Sequence, residues 1–136
     1  MDDELLLVVL QRATHVTLQV LGTELADLGL TASELNVLAN LADGRGRTVS
    51  EIGAAAGVRP TTLTGVLDRL EQKGHITRAP RAGDRRAVEI SLTSAGVKNA
   101  GRVQKAFASL EGRALQGIPA GSVKQARRVL TALGAV

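Results

Sequence analysis

The chain has 136 residues, enough for one domain or for two small subdomains that share a core. It has no cysteine and only two histidines, which excludes disulfides and thiol redox sensing and argues against a zinc site; we predict neither a metal nor a cofactor. Apolar residues make up 44% of the chain and are nearly all Ala, Leu and Val, a composition that favours helices over sheets.

Charge is distributed unevenly along the chain. Residues 1–43 carry one arginine against seven acidic residues, residues 44–93 carry nine basic residues against five acidic ones, and residues 94–136 carry seven against one. The two ends can therefore attract each other, within or between chains, while the basic middle is free to face a polyanion. The apolar run at residues 5–10 is too short to cross a membrane and follows acidic residues, so we predict a cytoplasmic protein.

The first third of the chain predicts two helices. Apolar residues return every three or four positions across residues 4–27, which indicates one long amphipathic helix that stops at Gly29. Thr31 and Glu34 form a capping box, in which each side chain accepts a hydrogen bond from the backbone amide of the other residue. A second helix is expected to run from this box to about Asp43.

A helix-turn-helix motif follows. A second capping box, Thr48 to Glu51, opens a short helix that ends at Gly57, and Pro60 stands where the first turn of a helix tolerates proline. The first helix is expected to bury Ile52, Ala55 and Val58. The second helix, residues 60–73, is expected to bury Leu63, Val66, Leu67 and Leu70.

A β-hairpin is predicted next, with strands at Ile76–Arg81 and Arg86–Leu92. Val88, Ile90 and Leu92 alternate with small or polar residues, which predicts one buried face and one exposed face. The predicted hairpin has a basic tip.

Helical spacing returns at about residue 93 and continues to near Gly117, and a last helix follows Pro119. The predicted fold is mainly α with a small β-hairpin wing. We divide the chain into an N-terminal helix (1–30), a winged helix-turn-helix (31–93) and C-terminal helices (94–136).

The helix at residues 60–73 turns a small, hydroxylated face away from the core. At about 100° per residue, the residues on or beside that face are Thr61, Thr62, Thr64, Gly65, Asp68, Arg69 and Gln72. Threonine hydroxyls and methyls suit the phosphates and base edges of a DNA major groove, and Gly65 lets the helix backbone approach closely. An ordinary solvated helix face is the alternative interpretation.

The hairpin tip gathers Arg81, Arg85 and Arg86 around Asp84. Guanidinium groups suit a narrow minor groove, where the negative potential is deepest. Because Asp84 would repel phosphates unless it is paired, we expect it to bond an adjacent arginine or an amide of the tip and so to fix the wing before DNA binds.

Residues 48–96, TVSEIGAAAGVRPTTLTGVLDRLEQKGHITRAPRAGDRRAVEISLTSAG, resemble the MarR family of bacterial transcriptional regulators. The likeness is strong over residues 31–96, in the helix-turn-helix, the Asp-Arg-Arg wing and the Leu-Thr-x-x-Gly that opens the next helix, and it extends to the helical ends by architecture. It implies a homodimer held by the helices of residues 1–30 and 94–136. It also implies a pseudopalindromic double-stranded DNA operator, with the recognition helix 60–73 in the major groove and the wing 81–86 in the minor groove.

The resemblance also implies DNA-contacting residues. Carried over by position, Thr48 and Ser50 contact phosphate. The residues of the recognition helix are Arg59, Thr61, Thr62, Thr64, Gly65 and Arg69, and those of the wing are Asp84, Arg85 and Arg86. We add Arg81 to the wing residues because of its charge. The family often places a bulkier polar or basic residue near Gly65, so DNA shape is expected to matter more than base contacts there.

MarR-like proteins often respond to small phenolic or lipophilic compounds that bind between the dimer helices and the DNA-binding lobe. The polar residues nearest that region are Thr14, His15, Asn36 and Asn40. This chain has little with which to stack an aromatic ring, and a lone helical histidine is more often a surface or structural group.

We therefore predict a dimeric, sequence-specific transcriptional regulator, expected to be a repressor that a small molecule releases. Two alternatives stay open: an architectural DNA-binding protein of low specificity, and a winged-helix interaction module that has lost DNA binding. An enzyme is disfavoured, because the few functional groups cannot supply a nucleophile, a base and a residue to orient them.

Overall fold

A computed structural model describes residues 3–136 and confirms the predicted fold class, mainly α with a β-hairpin wing. Residues 1 and 2 of the predicted N-terminal segment lie outside the described residues. The helices are α1 (Leu6–Glu24), α2 (Ala32–Leu41), α3 (Val49–Ala56), α4 (Pro60–Gln72), α5 (Ser94–Ala114) and α6 (Ala120–Leu133). The strands are β1 (Arg47–Thr48), β2 (Ile76–Arg81) and β3 (Asp84–Leu92).

Both predicted capping boxes are confirmed. The amide of Glu34 donates to Thr31 Oγ1 (3.2 Å) and the amide of Thr31 donates to Glu34 Oε1 (3.1 Å), which starts α2. The same pair of bonds joins Thr48 and Glu51 at the start of α3. The first helix is shorter than predicted, since α1 ends at Glu24 and a short 3-10 turn at Ala26–Leu28 follows it.

The helix-turn-helix has the predicted core with one correction, and Val58 is half-buried against that core. Leu63, Val66, Leu67 and Leu70 of α4 are all buried, and so is Ile52 of α3. The prediction that Ala55 is buried was wrong, because Ala55 is exposed and Ala56 is half-buried in its place. Helix α2 packs on the Ala56 side of α3, where the Asn36 side-chain amide donates to the Ala56 carbonyl (3.0 Å). The apolar stripe of this two-turn helix is therefore rotated by one residue.

The sheet has the order β1-β3-β2 and is antiparallel throughout. Strand β1 was not predicted, since two residues give no periodicity to read. Strand β3 begins at Asp84, two residues earlier than expected. Ile90 is buried, but the prediction of a buried Val88 was wrong, because this side chain is 45% exposed. Only the base of the hairpin lies over the core, and its outer half projects from it.

The start of α5 docks closely on the end of α4. A Cβ atom at Gly96 would overlap the backbone carbonyl of His75, so only glycine allows this approach. The amide of Thr93 donates to the His75 carbonyl (3.0 Å), and the Thr93 hydroxyl donates to the Gly74 carbonyl (2.6 Å). Helix α4, the hairpin and α5 therefore meet at one tightly bonded point.

The two terminal helices are poorly covered in the single chain. Leu21 is the one buried residue of α1, and α6 has none. Large apolar side chains that are exposed on these helices are Leu6, Leu7, Val8, Val9, Val16 and Leu18 of α1, and Val129 and Leu130 of α6. Among residues 3–136, no helix combines the length and the apolar character that a membrane span requires.

Candidate nucleic-acid interface

The outer face of α4 has the exposed polar character that the sequence predicts. Arg59 is the N-cap residue of α4 and is exposed, as are Thr61, Thr62 and Thr64. The Thr64 hydroxyl donates to the Pro60 carbonyl one turn earlier (3.0 Å), so it offers mainly its oxygen to a ligand. From Thr61 to Thr64 this face thus presents small hydrogen-bonding groups.

Gly65 accommodates the side chain of Arg69. A Cβ at position 65 would lie 3.3 Å from Arg69 Nη1, so the guanidinium folds back along the helix over the glycine. The same guanidinium places its Nε 4.0 Å from Glu34 Oε1. Arg69 therefore lies along α4 instead of extending straight from it.

Glu34 holds the C-terminal end of α4. This carboxylate is fully buried and accepts two bonds from Lys73 Nζ, at 2.9 Å and 3.1 Å. Burial on its own would raise the pKa of Glu34, but the bonds from Lys73 and Thr31 outweigh it, so the pKa lies below its ordinary value and the carboxylate stays charged. Lys73 also donates to the Gly29 carbonyl (3.1 Å). We call the contact between Glu34 and Lys73 the clamp. The sequence did not predict it, because Glu34 was interpreted only as a capping residue.

The first helix of the motif offers one free hydroxyl. Thr48 is half-buried, and its oxygen already accepts the Glu51 amide as the N-cap of α3. Ser50 stands in the first turn of α3 and is exposed. Of the two predicted phosphate contacts, Ser50 is therefore the more accessible.

The wing tip is organised by Asp84. Its carboxylate accepts a hydrogen bond from the backbone amide of Arg86 (3.1 Å), which confirms the prediction that Asp84 bonds an amide of the tip. The side chains of Arg85 and Arg86 are exposed. This local bond fixes the turn and leaves both guanidinium groups directed at solvent.

Arg81 differs from the other two wing arginines. Its Nε lies 2.9 Å from Glu89 Oε2, and its Nη2 lies 2.7 Å from Glu51 Oε1. Arg78 on the same strand pairs similarly with Asp68 of α4 (2.6 Å). Sequence reasoning missed these pairs, because the acidic partners are distant in sequence and stand at positions that also suit solvated surface.

Within the part of the chain that the structure describes, the basic side chains of residues 44–93 divide into two groups. Those with a carboxylate within 4.0 Å are Arg45, Arg47, Arg69, Lys73, Arg78 and Arg81. Arg59, Arg85 and Arg86 have no such partner among residues 3–136. These three residues lie at the start of α4 and at the wing tip.

The predicted ligand residues separate into two neighbouring clefts. Thr14 and Asn36 line a cleft of about 370 Å³ between α1 and α2, with Phe107 of α5 at its side. Asn36 and Asn40 line a second, of about 420 Å³, on the other side of Phe107. His15 lines neither cleft. The Asn40 side-chain amide donates to the Asn36 carbonyl (2.8 Å), and the Asn36 side-chain amide donates to the Ala56 carbonyl. Both side chains therefore also stabilise the fold.

No metal site accompanies these clefts. Residues 3–136 contain no group of three His, Cys, Asp or Glu side chains able to hold a metal ion.

A helix-turn-helix followed at once by a hairpin with free arginines at its tip defines a winged-helix DNA-binding protein. A family model described as the MarR family matches residues 28–87. Over 68 residues the chain is 43% identical to the transcriptional repressor MdtR of Bacillus subtilis, a match that covers 50% of this chain and 44% of that relative. The repressor Rv2887 of Mycobacterium tuberculosis is 29% identical over 133 residues, 98% of this chain and 96% of the relative.

A solved structure agrees with this match along nearly the whole chain. The crystal structure of CouR from Rhodococcus jostii, bound to p-coumaroyl-CoA, superposes with a TM-score of 0.83 at 27% identity, and covers 93% of this chain and 90% of that one. The chain is therefore similar to the MarR family of transcriptional regulators, in sequence over residues 28–87 and in fold along nearly its whole length. MdtR and Rv2887 are both transcriptional repressors.

Proposed function

We propose that the chain acts as a homodimeric, sequence-specific repressor in the cytoplasm. In this proposal α4 enters the major groove of double-stranded DNA, and Arg85 and Arg86 enter the flanking minor groove. The observation that carries the proposal is that Arg59, Arg85 and Arg86 have no carboxylate within 4.0 Å among residues 3–136. An unpaired guanidinium reaches a phosphate or a groove without first losing an internal ion pair, so these three residues can bind DNA at little cost to the fold.

Dimerisation is supported by the terminal helices. Residues 1–30 and 94–136 leave a row of leucine and valine side chains of α1 and α6 exposed in the single chain. Exposed apolar surface of this extent marks an interaction surface in most proteins. A second copy would cover it with the same residues, since a two-fold interface is formed by the same patch on both partners.

A small-molecule effector is the second partner in the proposal. Among residues 3–136, no charged side chain lines the cleft between α1 and α2. The Thr14 hydroxyl donates to the Leu10 carbonyl (2.9 Å) and the Thr17 hydroxyl donates to the Ala13 carbonyl (2.8 Å), so both present acceptor oxygens to the cleft. The cleft therefore suits an uncharged, lipophilic compound that donates a hydrogen bond, such as a phenol, better than a carboxylate.

Selection of bound fragments from random duplex DNA tests the proposal. We expect a pseudopalindromic site whose half-sites lie about one helical turn, 34 to 36 Å, apart, preferred over unrelated duplex by about a thousandfold or more at physiological salt. A protein that binds all duplexes alike would be architectural. Failure to bind any duplex at low salt would instead support the alternative that the chain is a protein-interaction module.

A further inference from the structure

We infer that Arg81 is a positioning residue, which braces the wing against the first helix of the motif and does not itself contact DNA. The inference rests on the proposed DNA-binding function. We call Arg81, Glu51 and Glu89 the wing brace. The sequence grouped Arg81 with Arg85 and Arg86, but their surroundings differ, because Arg81 is the one wing arginine held between two carboxylates in the described part of the chain.

A bulge in the hairpin turns Arg81 inward. The pairing of β2 with β3 shifts between Pro80 and Arg81, so that Pro80 faces Val88 while Arg81 faces Asp84. Such a bulge bends the strand and redirects the side chain that follows it. The side chain of Arg81 is therefore directed towards α3 and the middle strand, while those of Arg85 and Arg86 remain exposed at the tip.

The backbone makes room for Glu89. A Cβ at Gly46 would overlap the Glu89 carboxylate, which thus lies directly against the main chain that leads into β1. Glu89 is also the register partner of Thr48 across the sheet. These neighbours hold the carboxylate in the position from which it pairs with Arg81.

Glu51 connects the brace to α3. Its Oε1 accepts both the Thr48 amide (2.9 Å) and Arg81 Nη2 (2.7 Å). Together, the backbone amide and hydroxyl of Thr48 and the guanidinium of Arg81 hold the pKa of Glu51 at about 2. Ser50 precedes Glu51 in the same turn, so the brace fixes the wing relative to a predicted phosphate contact.

The direction in which Glu89→Gln changes the affinity for DNA distinguishes a brace from a simple effect of charge. Glu89→Gln removes a negative charge from the DNA-binding domain, and simple electrostatics then predicts tighter binding to DNA. If Glu89 acts through the brace, the same substitution releases Arg81 and weakens binding. We expect operator affinity to fall about threefold to tenfold, within the range measured for coupled neighbouring residues.

The dependence of affinity on salt supplies a second readout. Arg81→Gln should lower affinity but leave the slope of log affinity against log salt unchanged, whereas Arg85→Ala should reduce that slope by about one, as the loss of a phosphate contact does. The double variant Arg81→Gln with Glu89→Gln should bind no more weakly than Arg81→Gln alone. Glu71→Gln is the matched control, because Glu71 carries the same charge, is exposed, and pairs with Arg78 at a longer distance (3.5 Å).

Hydrogen exchange of the free protein tests the brace without DNA. Arg81→Gln and Glu89→Gln should both speed amide exchange at residues 82–88, and Glu71→Gln should not. If wild-type protein binds no duplex, the proposed function fails, and exchange alone decides the brace. The inference is overturned if Glu89→Gln leaves exchange unchanged, or if it tightens DNA binding while Arg81→Gln lowers the salt slope by one.

Discussion

Two glycines of α5 stand in opposite surroundings. Gly96 lies against the His75 backbone, whereas a Cβ at Gly101 would meet no atom within 4 Å. We expect Gly96→Ala to destabilise the fold by about 1 to 3 kcal/mol, because the backbone of His75 cannot move aside as a side-chain end can. Gly101→Ala, on the same helix, should be neutral or stabilise by up to about 1 kcal/mol. Urea unfolding of both variants checks this, and equal effects would contradict the close contact.

The lowered pKa of Glu34 predicts that the free energy of unfolding falls at low pH. Its pKa in the folded chain lies below the ordinary value of 4.5, so its contribution to the free energy of unfolding is present above that pH and is lost as the pH falls through the folded pKa. Glu34→Gln keeps the shape of the side chain but removes its charge. We expect it to lower the free energy of unfolding at pH 7 by about 1 to 2 kcal/mol, and no more, because Lys73 is partly exposed and can be hydrated when it loses its partner.

Unfolding of wild type and Glu34→Gln at pH 7 and pH 3 measures that dependence. The difference in stability between the two proteins should shrink at the lower pH. A difference that stays constant would show that the charge of Glu34 does not stabilise the clamp.

At the scale of the elements, the wing gives a direct test of DNA contact. Arg86→Ala should weaken operator binding and reduce the salt slope by about one, because it removes a guanidinium that no internal carboxylate holds in the described chain. Lys105→Ala removes the same charge from an exposed position of α5 and serves as the control. Circular dichroism and sedimentation should show an unchanged fold and dimer. Unchanged affinity for Arg86→Ala would remove the wing from the mechanism.

Local signals made most elements predictable from the sequence. The two capping boxes, the buried stripe of α4 and the bonded Asp84 each depend on residues within a few positions of one another, where geometry is set by the helix or turn itself. Ala55 and Val88 were predicted wrongly, because their burial depends on where α2 packs and how far the hairpin projects.

The long-range ion pairs could not be predicted at all. Glu34 and Lys73 are 39 residues apart, and Arg81 and Glu51 are 30 apart. No spacing rule connects such positions before the fold is known. The sequence therefore identified the surface residues of the candidate site better than the internal pairs that position them.

For the whole molecule, α6 provides the clearest test of dimerisation. Since α6 buries no residue in the single chain, Leu130→Asp should leave the fold intact. An unpaired charge in an apolar interface costs about 2 kcal/mol or more, which corresponds to a dimer dissociation constant raised about thirtyfold. Arg128→Gln makes the charge more negative by the same amount on the opposite side of α6, where Arg128 is exposed, and should change little. Sedimentation equilibrium distinguishes the two, and an unchanged dimer in Leu130→Asp would place the interface elsewhere.

A single residue, Thr93, connects the hairpin to α5. Strand β3 ends at Leu92 and α5 begins at Ser94, so the arginine-bearing hairpin continues almost directly into a helix of 21 residues. At a rise of about 1.5 Å per residue this helix is about 30 Å long, and a tilt of about 10° displaces its far end by about 5 Å. Phe107, on that far half, lies beside both clefts. Under the proposed function, a compound that displaces Phe107 would therefore tilt α5 together with the hairpin, and in a dimer it would change the distance between the two DNA-binding surfaces.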